Sequence, residues 1–210
     1  MKRILIADDH TIVRTGLSVL IKAEYLNAQI DECSDGNCAW EKIQSNQYDL
    51  FIMDINMPAT DSVNLLKNIF SVQPQAKVLI LSMSSEEIYA KKYLQLGALG
   101  FVNKESDATE IRKAITTVMT NRKYISPKLQ ETITRQAIEG TPAKTVFENL
   151  SARELEVMTH LVQGRNISEI ADILSVHIST ASTHKARVLQ KLKVNNVIEL
   201  TTLVKRFDIG

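Results

Sequence analysis

Short apolar runs and longer amphipathic stretches alternate through the first 120 residues. Arg3-Ile4-Leu5-Ile6-Ala7 has strand length and ends in Asp8-Asp9. After His10, the positions Ile12, Val13, Leu17, Val19 and Leu20 recur at near-helical spacing and predict a helix to about Glu24. Gln29 to Cys33 is a weaker strand, and Asn37 to Asn46, with Ala39, Trp40 and Ile43, is the next helix. The pattern continues with a strand from Leu50 to Met53, a helix from Ser62 to Phe70, and a strand from Lys77 to Leu81. A helix from Glu86 to Leu96, a strand Gly100-Phe101-Val102 and a helix from Ala108 to Thr120 complete it. Strands that are apolar throughout, instead of alternating, are covered on both faces. The pattern therefore implies a parallel, doubly wound α/β sheet.

The period changes after residue 120. Residues 121–146 read as a connector, in which Pro127 opens a helix to about Ile138 and Gly140-Thr141-Pro142-Ala143-Lys144 breaks it. Residues 147–210 form a second, small all-α domain. Ser151 and Glu154 are spaced as a capping box, Leu155, Val157, Met158, Leu161 and Val162 give the helix an apolar face, and Gly164 ends it. Asn166 and Glu169 make a second box, before a short helix carrying Ile170, Ala171, Ile173 and Leu174. A turn at Ser175-Val176-His177 leads into a helix from Ile178 to Leu192. Two helices joined by a tight turn, the second bearing cations and no acid, make a helix-turn-helix.

Length and composition fit two ordinary domains: 210 residues, 44% hydrophobic and 23% charged. No apolar run approaches the ~18 residues of a membrane span. The apolar stretch behind the basic start is too short for a signal peptide, so a cytoplasmic protein is expected. Cys33 and Cys38 suit a reduced compartment and are given no metal or disulfide role. The net charge of +1 conceals an asymmetry. Residues 1–120 carry 12 basic and 15 acidic side chains, whereas His177 to Lys193 contains Lys185, Arg187, Lys191 and Lys193 with no acid. Such a basic stripe meets phosphates.

The chemistry centres on Phe51-Ile52-Met53-Asp54-Ile55-Asn56-Met57-Pro58. An apolar strand carries Asp54 to its end, and a proline soon after prevents the strand from continuing. In a parallel sheet, loops at the carboxyl ends of strands converge on one crevice. If the first and third strands are neighbours, Asp8, Asp9 and Asp54 share a pocket. Three like charges there are tolerable with a hard divalent cation, and Mg2+ is the simplest choice.

Asp8, Asp9, Asp54, Ser82 and Lys104 together resemble the active site of the receiver domain of bacterial response regulators. The resemblance covers residues 1–120 and implies strand order 2-1-3-4-5. It implies that a sensor histidine kinase donates a phosphoryl group to Asp54, and that Asp8, Asp9, Asp54 and the backbone carbonyl of Asn56 hold Mg2+. Ser82 and Lys104 would contact the phosphoryl oxygens, and Phe101 resembles the family's aromatic switch. Two departures stand out: Asp61-Ser62 replaces the glycine that follows Met-Pro in the family, and Glu105 replaces the proline of a frequently cis Lys-Pro pair.

Residues 147–210 are similar to the LuxR/NarL-type output domain, through Leu150-Ser151-x-Arg153-Glu154-x-Glu156-Val157, Glu169-Ile170-Ala171, and Ser182-Thr183-His184-Lys185-x-Arg187-Val188-Leu189-x-Lys191-Leu192. This resemblance implies binding to double-stranded DNA, with homodimerisation on phosphorylation. On the last of these helices Ala181, Val188 and Leu192, with His184 or Lys185, form the inward stripe. Ser182, Thr183 and Ala186 are positioned for base edges, and Thr180, Lys185, Arg187 and Lys191 for phosphates. His177 stands where the family caps this helix with serine, leaving a weaker start or a cap from Ser179.

The chain thus reads as a phosphorylation-switched transcription regulator and not an enzyme. Two other readings compete. One is a regulator of the same fold that binds DNA without phosphorylation. The other is a Mg2+-dependent aspartyl phosphatase of haloacid dehalogenase type, which requires an aspartate two residues after its nucleophile, where this chain has Asn56.

Overall fold

β1 (Arg3–Ala7), β2 (Gln29–Cys33), β3 (Leu50–Met53), β4 (Val78–Ser82) and β5 (Gly100–Asn103) pair in parallel in the order β2-β1-β3-β4-β5 in the computed structural model. The model describes residues 1–138 and 146–206. Five helices alternate with the strands: α1 (Thr11–Glu24), α2 (Gly36–Ser45), α3 (Ser62–Val72), α4 (Glu86–Gln95) and α5 (Ala108–Met119). β3 and β4 are buried along their whole length, as strands between two helical layers must be. β2 lies at the sheet edge and retains the exposed Gln29 and Glu32, which is why its sequence signal is weak.

Aspartates start three of these helices. Asp35, Asp61 and Asp107 each accept a hydrogen bond from the backbone N–H three residues on, at 2.9, 2.9 and 2.8 Å, as N-caps do. One layer of the core joins Ile4, Ile6, Leu50, Ile52, Leu79 and Leu81 of the sheet to Leu17 and Ile21 of α1 and Ile115 and Val118 of α5. The chain reverses direction across the sheet between β1 and β3, and Ala7 pairs with Met53. The residues that follow these two, Asp8 and Asp54, therefore emerge side by side at the switch point.

Several boundaries differ from the sequence expectation. β4 runs one residue further, so Ser82 closes the strand instead of following it, and β5 extends through Asn103. The turn after Met57-Pro58 uses a positive φ: Ala59 takes φ 50° where no glycine is present. Every peptide bond among the described residues is trans, Lys104-Glu105 included.

Contacts divide the chain into two units, Met1–Glu139 and Gly140–Gly210. The connector helix α6 (Pro127–Ile138) belongs to the first, where Ser126 caps it at Leu129 N–H and also donates to Glu86 of α4 at 2.6 Å. The expected break at residues 140–144 lies outside the described residues.

The second unit contains a 3-10 turn (Val146–Asn149), α7 (Ala152–Val162), α8 (Ile167–Ile173), α9 (Ile178–Leu192) and α10 (Val197–Arg206). Both expected capping boxes are formed. Gly164 takes φ 83°, the left-handed conformation that stops α7. α10 was not expected from the sequence, although Asn196 accepts from Glu199 N–H at 2.9 Å and the Asn196-x-x-Glu199 spacing advertises that cap. Among the described residues no helix is long and apolar enough to cross a membrane.

Candidate functional site

Asp8 and Asp54 are both buried, and the Asp54 N–H donates to the Ala7 carbonyl at 2.8 Å, fixing one strand end to the other. From the end of β5, Lys104 reaches into the same pocket with its side chain only 5% exposed. Its Nζ lies 2.7 Å from an oxygen of Asp8 and 2.7 Å from one of Asp54. The Lys104 N–H donates to the Ser82 carbonyl at 3.0 Å, so the β4 and β5 ends hold the lysine in register.

The electrostatics follow from this enclosure. Burial raises the Asp54 carboxyl above the usual carboxylate range, and Lys104 and the Asn56 N–H oppose that shift without cancelling it. Burial also disfavours the Lys104 ammonium, but the Asp54 and Asp8 carboxylates outweigh it and hold its pKa above the ordinary value.

Asn56 organises the third side of the pocket. Its N–H donates to Asp54 Oδ1 at 3.0 Å, and its side-chain amide donates to the hydroxyls of Ser82 at 3.1 Å and Ser84 at 2.9 Å. Ser82 is fully buried, and its hydroxyl also accepts from the Ser84 N–H at 3.2 Å. Phe101 points inward beside Tyr93, with ring centroids 6.4 Å apart, and the Tyr93 hydroxyl is 2.9 Å from Ser62 Oγ.

Asp9 completes the acidic group at its solvent side, with its side chain 27% exposed. Ligand atoms of Asp8, Asp9, His10 and Asp54 all lie within 4.8 Å of one another. Oxygens at this spacing, with one carboxylate open to solvent, suit a hard divalent cation. His10 was not expected among the site residues. Its Nδ1 is 2.8 Å from Asp9 and 3.3 Å from Asp8, and its place directly after the acidic pair was the available signal. Arg14 was missed as well: it donates to the Asp8 carbonyl at 2.7 Å and is braced by Glu32 at 3.1 Å.

The second unit presents α9 as expected. Ala181, Val188 and Leu192 are buried, His184 and Lys185 are half-buried, and Ser179, Thr180, Ser182, Thr183, Ala186 and Arg187 are exposed. Its N-cap, His177, makes no side-chain capping bond; the Ser179 carbonyl instead accepts from Thr183 Oγ1 at 2.8 Å. Arg153 ties α7 to the end of α8 by donating to the Leu174 carbonyl at 2.7 Å. Lys191 departs from the simple picture of a phosphate-facing cation. Its ammonium donates to the buried Glu154 at 2.6 Å, and this bond with those to Ser151 holds Glu154 below its usual range against the effect of burial.

Comparison with known proteins gives two family matches: "Response regulator receiver domain" over residues 4–116, and "Bacterial regulatory proteins, luxR family" over residues 148–204. The oxygen regulatory protein NreC of Staphylococcus carnosus is 33% identical over 204 residues, covering 94% of each chain. The fimbriae Z protein of Salmonella typhimurium is 32% identical over 98% of this chain and 97% of its own. Among solved structures, RcsB of Salmonella enterica serovar Typhimurium, bound to the rprA promoter with the phosphomimetic BeF3-, aligns with TM-score 0.73. It is 25% identical, over 98% of this chain and 99% of that one.

Proposed function

Since the chain belongs to the two-component response regulators with a LuxR-type DNA-binding domain, we propose that Asp54 accepts a phosphoryl group from a sensor histidine kinase and that this controls DNA binding by α9. The observation that carries this reading is the bridge from Lys104 to both Asp8 and Asp54 at the sheet's switch point. In-line transfer needs an enclosed carboxylate oxygen and fixed positive charge for the phosphoryl oxygens, and little else from the protein. Asp54 supplies the attacking oxygen. Lys104, already anchored by the β4 end, neutralises charge on the transferred group.

Asp8, Asp9, Asp54 and the Asn56 backbone carbonyl would hold Mg2+, which when bound screens the acidic cluster and stabilises the phosphoryl oxygens. The added charge and acceptor oxygens then compete for the Ser82 hydroxyl, which Asn56 and Ser84 N–H now occupy. Ser82 closes β4 and Phe101 lies in β5 beside Tyr93 of α4, so a shift at Ser82 reaches the α4 face through packed side chains. We assign residues 1–120 to the receiver, 121–146 to the connector and 147–210 to the DNA-binding domain. Phosphorylation would favour a homodimer that reads paired half-sites on double-stranded DNA. Thr180, Ser182, Thr183, Lys185, Ala186 and Arg187 would face the duplex, with Lys191 at the edge of that surface. A cytoplasmic location suits this activity.

Incubation of the full-length protein with Mg2+ and acetyl phosphate, followed by intact-mass measurement, tests the assignment. One added phosphoryl group on the wild type and none on Asp54→Asn is the expected result. A phosphorylated Asp54→Asn protein would overturn it.

A further inference from the structure

We propose that Arg14 is a positioning residue for the acidic pair: with Glu32 of the edge strand β2 it fixes the Asp8-Asp9 peptide, and through that peptide the two carboxylates assigned to Mg2+. This role rests on the metal site proposed above and adds to it a residue that touches neither the ion nor the phosphoryl group.

The end of β2 grips Asp8 on both sides. The Asp8 N–H donates to the Cys33 carbonyl at 3.0 Å. The Asp8 carbonyl accepts from Arg14 Nη1 at 2.7 Å, and the guanidinium is held in turn by Glu32, the residue before Cys33, with 3.1 Å between Nε and Oε2. A peptide is planar, so the direction of the Asp8 carbonyl also sets the Asp9 N–H and the angle at which the Asp9 side chain leaves the backbone. On the far side of the pair, the His10 N–H donates to Asp8 Oδ1 at 2.9 Å.

The helix dipole opposes a cation so near the start of α1. Arg14 is nonetheless held there, its side chain 14% exposed, because one planar fork serves Glu32, the Asp8 carbonyl and Thr11 Oγ1, the last at 3.2 Å. Glu32 is itself fixed: its Oε1 accepts from Ser18 Oγ of α1 at 3.1 Å, and its carbonyl from Lys42 Nζ of α2 at 2.8 Å. An exposed glutamate on an edge strand thereby ties two helices to the peptide between the metal ligands. Two effects of Arg14 on a bound cation have opposite signs. Its charge repels Mg2+, whereas its hydrogen bond holds the ligands in place. Glu32 offsets the charge, so positioning prevails. A lysine keeps the charge but presents a single nitrogen, which cannot reproduce the fork.

Calorimetric titration of the full-length protein with Mg2+ measures the effect without phosphoryl transfer. Arg14→Ala should weaken Mg2+ binding about tenfold, as loss of an outer partner of a metal ligand does. Arg14→Lys should recover little of it, and Glu32→Gln should weaken binding in the same direction. Lys2→Ala, which breaks an exposed ion pair to Asp49 beyond the opposite end of β1, should leave the affinity unchanged. With acetyl phosphate as donor, the Mg2+ concentration giving half the maximal rate should rise in Arg14→Ala in step with its dissociation constant. Tighter Mg2+ binding by Arg14→Ala would make Arg14 a repelling charge and overturn the positioning role. Full recovery in Arg14→Lys, equal affinity in wild type and Arg14→Ala, or an equal loss in Lys2→Ala would overturn it too. If the wild type itself binds no Mg2+, the metal assignment fails and this role with it.

Discussion

The Lys104 ammonium stands 2.7 Å from Asp54 and 2.7 Å from Asp8, bridging two buried carboxylates that emerge from adjacent strands. A lysine so enclosed offsets repulsion that would otherwise oppose folding of the switch point. The role proposed for it in phosphoryl transfer and its role in stability therefore come from one geometry.

Lys104→Ala should accordingly destabilise the receiver by about 3 kcal/mol in the absence of divalent cations, because it leaves buried charges without a partner. Millimolar Mg2+ should restore much of that loss by occupying the same acidic cluster. Urea unfolding followed by the fluorescence of Trp40, the chain's one tryptophan, measures both. Equal stability of mutant and wild type without Mg2+ would mean that the carboxylates are not ionised together.

Asn56→Ala separates two roles of one residue. The backbone carbonyl assigned to Mg2+ remains, whereas the amide that occupies the Ser82 and Ser84 hydroxyls is lost. Mg2+ affinity should change little, since the amide that is removed bonds the Ser82 and Ser84 hydroxyls and not the carboxylates that would hold the ion. The rate at which the phosphorylated form loses phosphate should change more, as Ser82 is freed. A mutant that loses Mg2+ affinity alone would show the amide to be a structural support of the metal site.

The sequence made the frame legible because its signals were redundant. β3 is apolar at every position and β4 at every position but its last, Ser82, and both are bounded by turn residues, so one reading of period and length sufficed. Asp54 followed from the same logic, since a carboxylate at the end of such a strand has few structural uses. His10 and Arg14 were not legible in this way, because their contacts depend on side-chain reach and not on periodicity. Ala59 was not singled out for a related reason: no glycine follows Met57-Pro58 to mark a positive φ, yet the turn places alanine at φ 50°.

Arg187 and Lys191 lie on the same basic helix and should nonetheless behave differently. Arg187 is exposed, so Arg187→Ala should leave stability within about 0.5 kcal/mol and reduce the salt slope of DNA binding by about 1. Lys191 donates to Glu154, whose side chain is 4% exposed. Lys191→Ala should therefore cost the second unit about 2 kcal/mol, part of it regained in Lys191→Ala/Glu154→Gln. Fluorescence anisotropy against salt concentration and circular dichroism melts distinguish the two. A Lys191→Ala protein of unchanged stability with a flattened salt slope would make Lys191 a phosphate contact like Arg187.

His160 gives the second unit an acid limit. It is buried in α7, and Arg165 Nη1 lies 2.6 Å from its Nδ1, an arrangement that suits the neutral ring accepting from the guanidinium. Burial first, and the Arg165 charge second, lower its pKa from 6.5 to about 4. The sign follows from proton linkage. Above pH 6.5 the ring is neutral in both folded and unfolded chains, and the full stability is present. As pH falls toward 4 the unfolded chain takes up the proton first, so stability is lost across that window, by up to about 3 kcal/mol. All five tyrosines and the tryptophan precede residue 147, so an aromatic probe follows the first unit, while far-ultraviolet circular dichroism also follows the helices of the second. Between pH 7 and 4.5 the dichroism melt should acquire an earlier transition that the Trp40 fluorescence does not share. His160→Gln, which cannot be protonated in this range, should abolish that pH dependence; if the early transition persists in the mutant, another group sets the acid limit.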